Sequence, residues 1–197
     1  MGNTIGIVVF EQAEELDFVG PWEVFTMAAQ SNGQDRVLLI AEKLEPVRCA
    51  KGLRVVPDCT YADAPPLDVV LIPGGMGTRT EMSNPVLLDW LREIGPRCKW
   101  VTSVCTGALV LHAAGFLAGK RATTHWSMID FLRELGSVTV LEKTRYVRDG
   151  NVVTAAGVSA GIDMALWLTG QLHDPDFARG VQHFIEYDPA PPYAAAV

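Results

Sequence analysis

The stretch that decides the fold is VTSVCTGALV, residues 101 to 110. Its first four residues form a strand-type run, and its last five are typical of a helix. Only Cys105 stands between the strand pattern and the helix pattern. The sequence therefore predicts a strand over 100–104, a helix over 106–114 that stops at Gly115, and a sharp turn at Cys105.

The rest of the chain alternates strand and helix patterns in the same way. Apolar runs predict strands, helical spacing predicts helices, and Asp149-Gly150 predicts the turn of a hairpin. The expected elements are strands over 4–10, 37–41, 69–72 and 139–141, helices over 21–30, 84–94, 127–135, 162–172 and 176–187, a hairpin over 145–154, and a short irregular excursion over 53–61.

This alternation predicts an α/β fold with a mainly parallel sheet and helices on both faces. Right-handed crossovers then give a three-layer α/β/α sandwich of the flavodoxin-like kind, with a cysteine nucleophile elbow. At 197 residues, with no repeat or linker, the chain is expected to form one domain over 1–188. Residues 189–197 read as a Pro/Ala-rich tail.

Three unusual sequences follow predicted strands: Pro73-Gly74-Gly75, Cys105-Thr106-Gly107 and Ala156-Gly157-Val158. Ligands of parallel sheets bind outside the carboxyl ends of the strands. We therefore expect the three sequences to meet at one pocket.

Cys105 is the candidate nucleophile of this pocket. A turn of one residue strains the backbone and lifts the side chain above the sheet, and the positive end of the following helix favours thiolate over thiol. The amides of Thr106, Gly107 and Gly75 are placed to stabilise a developing anion. The alternative is a packed strand-end cysteine, which is how Cys49, Cys59 and Cys98 are interpreted.

Asp17 is the candidate proton-transfer partner of Cys105. It lies in LDFVGPWEVF, between the first predicted strand and the first predicted helix, and so at the same edge of the sheet. An ionised carboxylate beside a thiolate is repulsive, so the two side chains are expected to share a proton. The alternative for Asp17 is a solvated charge at a helix start. His125, in RATTHW, is either a pocket residue or a buried hydrogen-bonded one, and Trp126 flanks the pocket.

The composition excludes several classes of partner. The formal charge is −7, with no cluster of Lys and Arg that could follow a nucleic acid backbone. The four cysteines form no C-x-x-C pair, so no metal site is expected. The N-terminal apolar run is too short to span a membrane and lacks the basic flank of a signal peptide, so a cytoplasmic location is expected.

The motifs VCTGALVL, IPGGMG, LDFVGPWEVF, RATTHW and TAAGVSAGID occur here in one order, and in this the chain resembles the ThiJ/PfpI superfamily over nearly its whole length. The cysteine-threonine-glycine elbow, Asp17 and the EYDPAPPY tail are most similar to the branch that hydrates isocyanides. That resemblance implies a Cys105 nucleophile with Asp17 as acid and base, and Thr106 hydrogen-bonded beside them. It further implies that Gly75 and Val158 border the pocket, that the substrate is a small molecule, that no cofactor is needed, and that the protein is a homodimer. Gly74, Gly157, His125 and Trp126 are expected to bind substrate in the same pocket from their positions at or near strand ends.

The same resemblance leaves two rival functions open. One is a ligand-sensing domain like those of AraC-type regulators, which append a DNA-binding domain and often lack the acidic residue or the cysteine. The other is a glyoxalase, deglycase or amidase of the superfamily. The peptidase branch has histidine after the cysteine, whereas this chain has Thr106. Glyoxalase and deglycase branches usually have glutamate at the position of Asp17.

Overall fold

The computed structural model describes residues 2–190, so residues 191–197 of the expected tail lie outside the described part. In chain order the elements are β1 Thr4–Val8, α1 Glu15–Asn32, β2 Arg36–Ala41, β3 Val47–Arg48, β4 Arg54–Val55, β5 Cys59–Thr60, β6 Val69–Ile72, α2 Thr78–Glu81, α3 Pro85–Ile94, β7 Trp100–Val104, α4 Gly107–Ala113, β8 Lys120–Ala122, α5 Ile129–Glu134, β9 Val138–Val140, β10 Tyr146–Asp149, β11 Val152–Ala155, α6 Ala160–Leu172 and α7 Pro175–Phe184.

One seven-stranded sheet forms the middle layer, in the order β10-β11-β7-β6-β1-β2-β5. All its neighbouring strands are parallel except β10 and β11, which form the predicted hairpin. The hairpin turn is Gly150-Asn151, because Asp149 pairs with Val152. The predicted turn at Asp149-Gly150 is therefore wrong by one residue. Two small two-stranded sheets, β3-β4 and β8-β9, lie beside the main sheet.

The direction in which the chain adds strands to the sheet determines where the site lies. From β1 the chain passes through α1 to β2 on one side, whereas from β6 it passes through α3 to β7 on the other. Right-handed crossovers then require α1 and α3 to lie on opposite faces of the sheet, as the three-layer prediction states. The direction reverses between β1 and β6, and such a reversal opens a crevice at the carboxyl ends of the two strands.

The central strands are buried in the core, and this explains their continuous apolar sequences. Every residue of β6 and β11 is buried, and β7 is buried from Val101 to Val104. Strands covered on both faces read as continuous apolar runs, which is the pattern in the sequence. In α3, Asn84 caps the helix as predicted, since its side chain accepts from the Val86 amide at 3.0 Å.

The start of α1 differs from the prediction. The helix begins at Glu15, so Asp17 lies in its first turn and Pro21 lies inside the helix. Pro21 suggested a start at residue 21, because proline is common in the first turn. The observed start is anchored by a contact from elsewhere in the chain, in which the Glu14 amide donates to the Gly74 carbonyl at 2.9 Å.

Candidate active site

The cysteine elbow, residues Cys105 to Gly107, joins β7 directly to α4. Cys105 has φ of +56°, a left-handed conformation that costs energy for any residue with a side chain. Two hydrogen bonds hold it there: its amide donates to the Ala155 carbonyl at 3.1 Å, and its carbonyl accepts from the Thr124 hydroxyl at 2.9 Å. The predicted sharp turn is therefore confirmed, and β11 and the loop after β8 hold it in place.

Gly107 allows the elbow to sit close to β6. A Cβ at this position would lie 2.2 Å from the Ile72 carbonyl oxygen, a separation that no side chain tolerates. Glycine is therefore required where α4 begins against the end of β6. The contact brings the loop after β6 up to the cysteine.

Asp17 is fully buried, with 0% of its surface exposed. Its Oδ2 accepts from the Gly74 amide at 2.8 Å, and its Oδ1 is buried with no hydrogen bond of ordinary geometry among the described residues. Burial raises the pKa of Asp17 to about 7 from 3.8, although the Gly74 amide, the Cys105 thiol and the Val158 amide each lower it. The Asp17 carboxyl therefore holds a proton more readily than an ordinary aspartate, and Oδ1 is the oxygen that the Gly74 amide leaves unoccupied.

Gly74 is the point at which the two candidate side chains meet. A Cβ built on Gly74 would lie 2.7 Å from Asp17 Oδ2, 2.7 Å from Cys105 Cβ and 2.6 Å from the Thr106 nitrogen. The first helix, the loop after β6 and the elbow thus converge on one position that only glycine fits. The predicted meeting of Asp17, Gly74 and Cys105 at one edge of the sheet is what the structure shows.

Cys105 differs from the prediction in exposure and in acidity. Only 7% of the residue is exposed, so the side chain is not lifted into solvent. Burial first, and then the Asp17 carboxylate, raise the pKa of the thiol to about 12 from 9.0, while the Thr106 amide and hydroxyl lower it. Burial and the nearby carboxylate therefore oppose the preference for thiolate that the helix terminus favours.

Thr106 and Gly75 bond to each other rather than leaving their polar groups free. The Gly75 amide donates to Thr106 Oγ1 at 3.0 Å, and the same hydroxyl lies 3.2 Å from the Gly75 carbonyl oxygen. The Gly74 amide is likewise occupied by Asp17. The expectation that the Gly75 amide is free to stabilise an anion is therefore wrong, since its hydrogen already has an acceptor.

The remaining predicted residues form the outer part of the site. A Cβ on Gly157 would lie 2.7 Å from His125 Cδ2, so the His125 ring packs directly on that glycine. His125 is half-buried and its Nδ1 lies 2.8 Å from Ser127 Oγ, while burial lowers the pKa of the ring. Val158 has φ of +41°, a rare conformation for a β-branched residue. Trp126 is 79% exposed, so it lies at the surface beside His125.

Two residues near the site have no predictive signal in the sequence. Thr78 is fully buried, and its hydroxyl lies 2.8 Å from the Gly75 carbonyl oxygen and 3.1 Å from Thr106 Oγ1. Arg79 donates from Nη1 to the same carbonyl at 3.1 Å. Both follow the IPGGMG motif, but only the folded loop turns them back onto the elbow.

A family model described as the DJ-1/PfpI family matches residues 3–171. The chain belongs to the DJ-1/PfpI family. An isonitrile hydratase from Pseudomonas putida is 45% identical over 193 residues, which cover 98% of this chain and 82% of that protein. A glutathione-independent glyoxalase, DJR-1.2, from Caenorhabditis elegans is 30% identical over 168 residues, or 84% of this chain and 86% of that protein.

A solved structure of a ThiJ/PfpI family protein from Pseudomonas syringae superimposes with a TM-score of 0.91 at 36% identity. It covers 100% of this chain and 80% of that one. The resemblance to the superfamily and the α/β sandwich are thereby confirmed.

Two features of the described residues bear on membranes and metals. No helix among residues 2–190 is long and apolar enough to cross a membrane. In the same range, no three His, Cys, Asp or Glu side chains are grouped in a way that could hold a metal ion.

Proposed function

We propose that this protein hydrates isocyanides to N-substituted formamides through a covalent bond to Cys105, with Asp17 as the acid and base. The observation that carries the proposal is that the buried Asp17 carboxyl group and the buried Cys105 side chain meet at Gly74, where a Cβ would lie 2.7 Å from Asp17 Oδ2 and 2.7 Å from Cys105 Cβ. The 45% identity to an isonitrile hydratase over almost the whole chain supports the choice of substrate class.

The pair suits a reaction that needs one proton to be moved several times. At neutral pH the two side chains are expected to hold a single proton between them, because burial raises the pKa of both groups and each negative charge opposes the ionisation of the other. Asp17 Oδ1 is the available acceptor, since Oδ2 is bonded to the Gly74 amide. A pair in this state can accept a proton and return it without help from solvent.

In the first half of the reaction, the thiol adds to the substrate R–N≡C. The Cys105 proton passes to Asp17, and the sulfur attacks the terminal carbon with formation of a C–S bond. Asp17 then gives its proton to that same carbon, which leaves a thioimidate, R–N=CH–S–Cys105. The carboxylate is regenerated, and the addition is balanced because the one proton has moved from sulfur to carbon.

In the second half, water hydrolyses the thioimidate. Asp17 takes a proton from water as the water oxygen bonds to the carbon, and it passes that proton to the nitrogen, which becomes an amine. When the tetrahedral adduct collapses, the C–S bond breaks as the C=O bond forms, and Asp17 carries the hydroxyl proton of the adduct to the departing sulfur. The product is R–NH–CHO, and the resting thiol and carboxylate are restored.

The outer residues are proposed to hold the substrate. Thr106 directly follows Cys105, its hydroxyl is bonded to Gly75, and Gly74, Gly75, Gly157 and Val158 supply the backbone walls. His125 packs on Gly157, and the exposed Trp126 ring offers an apolar surface for the substituent R. No step requires a cofactor. We also propose that the chain acts in the cytoplasm as a homodimer of single-domain subunits spanning residues 1–188.

A glyoxalase is the second candidate, favoured by the 30% identity to DJR-1.2. It uses the same cysteine but a different substrate class, an α-oxoaldehyde in place of an isocyanide. Turnover of methylglyoxal at a higher kcat/KM than any alkyl isocyanide would favour it over the hydratase. A ligand-sensing domain is the third, and it would bind such small molecules without turning them over.

The deciding experiment is the incubation of the purified protein with cyclohexyl isocyanide in ¹⁸O-labelled water and, separately, in D₂O. We expect ¹⁸O in the formamide carbonyl and deuterium on the formyl carbon, because Asp17 exchanges its proton with solvent. Intact mass should show an adduct of the isocyanide on Cys105. Cys105→Ala and Asp17→Asn should both abolish turnover, and an inactive wild type, or activity retained in either variant, would refute the proposal.

A further inference from the structure

A cavity of about 380 Å³ lies at the carboxyl ends of β1, β2 and β5. Its wall includes Val9 and Phe10, which follow β1, Ala41, which ends β2, and Tyr61, which follows β5. Among residues 2–190, none of those placed around Cys105 lines it. The cavity is therefore separate from the candidate active site, and its volume lies within the usual range for small-molecule sites.

Two carboxylates of the cavity wall are held together by one side-chain amide. Asn84 Nδ2 donates to Glu42 Oε2 at 3.0 Å and to Glu81 Oε2 at 2.9 Å, so both of its hydrogens are used. Asn84 Oδ1 accepts from the Val86 amide at 3.0 Å, which fixes the orientation of the amide group. Two like charges thus lie around a single nitrogen, an arrangement that is repulsive unless a positive charge joins it.

The protein itself supplies no such charge. Neither Glu42 nor Glu81 forms an ion pair among residues 2–190, and Lys43, the one basic residue on the wall, forms none there either. Burial raises the pKa of Glu81, Asn84 lowers it, and the Glu42 charge raises it further. Because Asn84 occupies only the Oε2 atoms, the Oε1 atoms of the two glutamates are left for a cationic partner.

The Tyr61 hydroxyl opens onto the same cavity without a partner. Only 7% of the Tyr61 surface is exposed, its ring stacks on Trp90 with centroids 4.7 Å apart, and its hydroxyl makes no hydrogen bond among residues 2–190. The side-chain polar atoms of this range that are both enclosed and unpartnered are Glu15 Oε2, Asp17 Oδ1 and Ser103 Oγ. The Tyr61 oxygen is not among them, so it is open to the cavity that the residue lines. Burial, and then the charges of Glu81 and Glu42, raise the pKa of the phenol, in keeping with an oxygen close to both carboxylates.

A primary ammonium group matches these acceptors. It carries one positive charge and three N–H donors, one for each glutamate Oε1 and one for the phenol oxygen. Hard metal cations instead prefer six or more oxygen ligands. The remaining wall is mostly apolar, which suits a hydrocarbon substituent on the nitrogen; it includes Val9, Phe10, Ala41, Pro46 and Val47.

We propose that this cavity binds a primary ammonium ion with an alkyl or arylalkyl substituent, held by Glu42, Glu81 and the Tyr61 hydroxyl. Titration calorimetry of the whole protein with 2-phenylethylammonium near neutral pH tests the proposal, and we expect one ion to bind per chain. Two probes of related shape separate charge from hydrogen bonding. 2-Phenylethanol lacks the charge and the N,N,N-trimethyl derivative lacks the N–H groups, so each should bind roughly tenfold more weakly or worse.

The variants remove one acceptor at a time. Glu81→Gln and Glu42→Gln should each raise the Kd of 2-phenylethylammonium about tenfold, the size expected for a hydrogen bond to a charged group. Tyr61→Phe, which keeps the ring on Trp90, should raise it on the order of threefold. Glu134→Gln, the same change at an exposed position away from the cavity, is the matched control and should have no effect. If Glu81→Gln fails to fold, Glu42→Gln decides the question, because Glu42 is exposed.

Isocyanide turnover plays no part in this measurement, so the proposal stands or falls apart from the hydratase. Cys105→Ala should bind 2-phenylethylammonium with the Kd of the wild type, and a loss of binding in that variant would place the ion in the cysteine site and overturn the proposal. Absence of binding at millimolar concentration would also overturn it, as would equal affinity for 2-phenylethanol. Tighter binding of Ca²⁺ that Glu81→Gln removes would overturn the ligand class, because the carboxylates would then form a metal site.

Discussion

Cys98 and Cys105 lie at opposite ends of one strand, β7, and both are buried, with 5% and 7% of their surfaces exposed. Burial raises the pKa of both thiols, to about 11 for Cys98 and to about 12 for Cys105. Acidity therefore does not distinguish the candidate nucleophile from an ordinary packed cysteine.

The two ends differ in backbone and in partner. Cys98 has φ of −71° and ψ of 140°, an unstrained extended conformation, whereas Cys105 has φ of +56°. Cys105 also faces Asp17, a fully buried carboxyl group whose pKa is about 7. The difference between the two ends of β7 is therefore a strained turn and a proton acceptor held beside the sulfur of Cys105.

The largest expected effect separates the two cysteines by activity. Cys105→Ala should lower isocyanide turnover on the order of 10⁴-fold or more, as loss of a covalent nucleophile does. Cys98→Ala, at the other end of the same strand, should keep kcat within about twofold, since it lies away from the reacting atoms. Steady-state kinetics on the two variants makes this comparison, and equal losses would mean that β7 matters for packing alone.

The next effect is on the pH dependence of turnover. Asp17 must be ionised to accept the thiol proton, and burial raises its pKa to about 7. The value of kcat/KM should therefore be full above about pH 7 and fall about tenfold for each pH unit below it. Rates measured over a pH series test this expectation. A flat profile between about pH 5 and 8 would show that Asp17 is not the base.

Much of this arrangement could be predicted from the sequence. The strand, turn and helix around Cys105 are local patterns, and the carboxyl ends of parallel strands must share an edge, so Asp17, Gly74 and Cys105 could be brought together without a structure. The start of α1 at Glu15 could not be predicted from the sequence, because it depends on the hydrogen bond from the Glu14 amide to the Gly74 carbonyl. That contact joins segments far apart in the chain.

The electrostatics of the site could not be predicted from the sequence. The sequence shows a helix start next to Cys105, which favours thiolate, but it shows neither the depth of the sulfur nor the closeness of Asp17. Thr78 and Arg79 also had no pattern of their own, since their contacts arise from the folding back of the loop after β6. Local propensity therefore locates the site, whereas tertiary burial sets its chemistry.

The third prediction concerns stability, which should fall as pH rises whereas activity should increase. The folded-state pKa of Asp17 is raised, so the folded protein binds more protons than the unfolded chain between about pH 4 and 7, and stability falls as pH rises through that window. Between about pH 5 and 8 the shift corresponds to a loss of about 2 to 3 kcal/mol. Asp17→Asn keeps the shape and should remove this loss while abolishing turnover.

Urea denaturation of the wild type and of Asp17→Asn at both pH values measures the difference. The free energy of unfolding of Asp17→Asn, relative to that of the wild type, should be more favourable at the higher pH than at the lower one. Asp149→Asn is the control, because the Arg121 amide lowers the pKa of that half-buried carboxyl and its removal should give no such gain. If Asp17→Asn is equally destabilised at both pH values, the buried carboxylate is not under electrostatic strain.

The smallest effect tests the backbone at the two ends of β7. At Cys105 the positive φ penalises any Cβ, so Cys105→Gly should be more stable than Cys105→Ala by about 1 kcal/mol. At Cys98 the backbone is ordinary, so the order should reverse, with Cys98→Gly less stable than Cys98→Ala by about 0.5 to 1 kcal/mol. Differences of this size shift Tm by about 2 to 4 °C in a chain of this length, within the reach of calorimetry. The two variants of each pair differ only in one methyl group. If the alanine variant were the more stable one at both positions, the elbow would have to relax when the cysteine is removed. The strain would then come from the contacts of the sulfur and not from the turn.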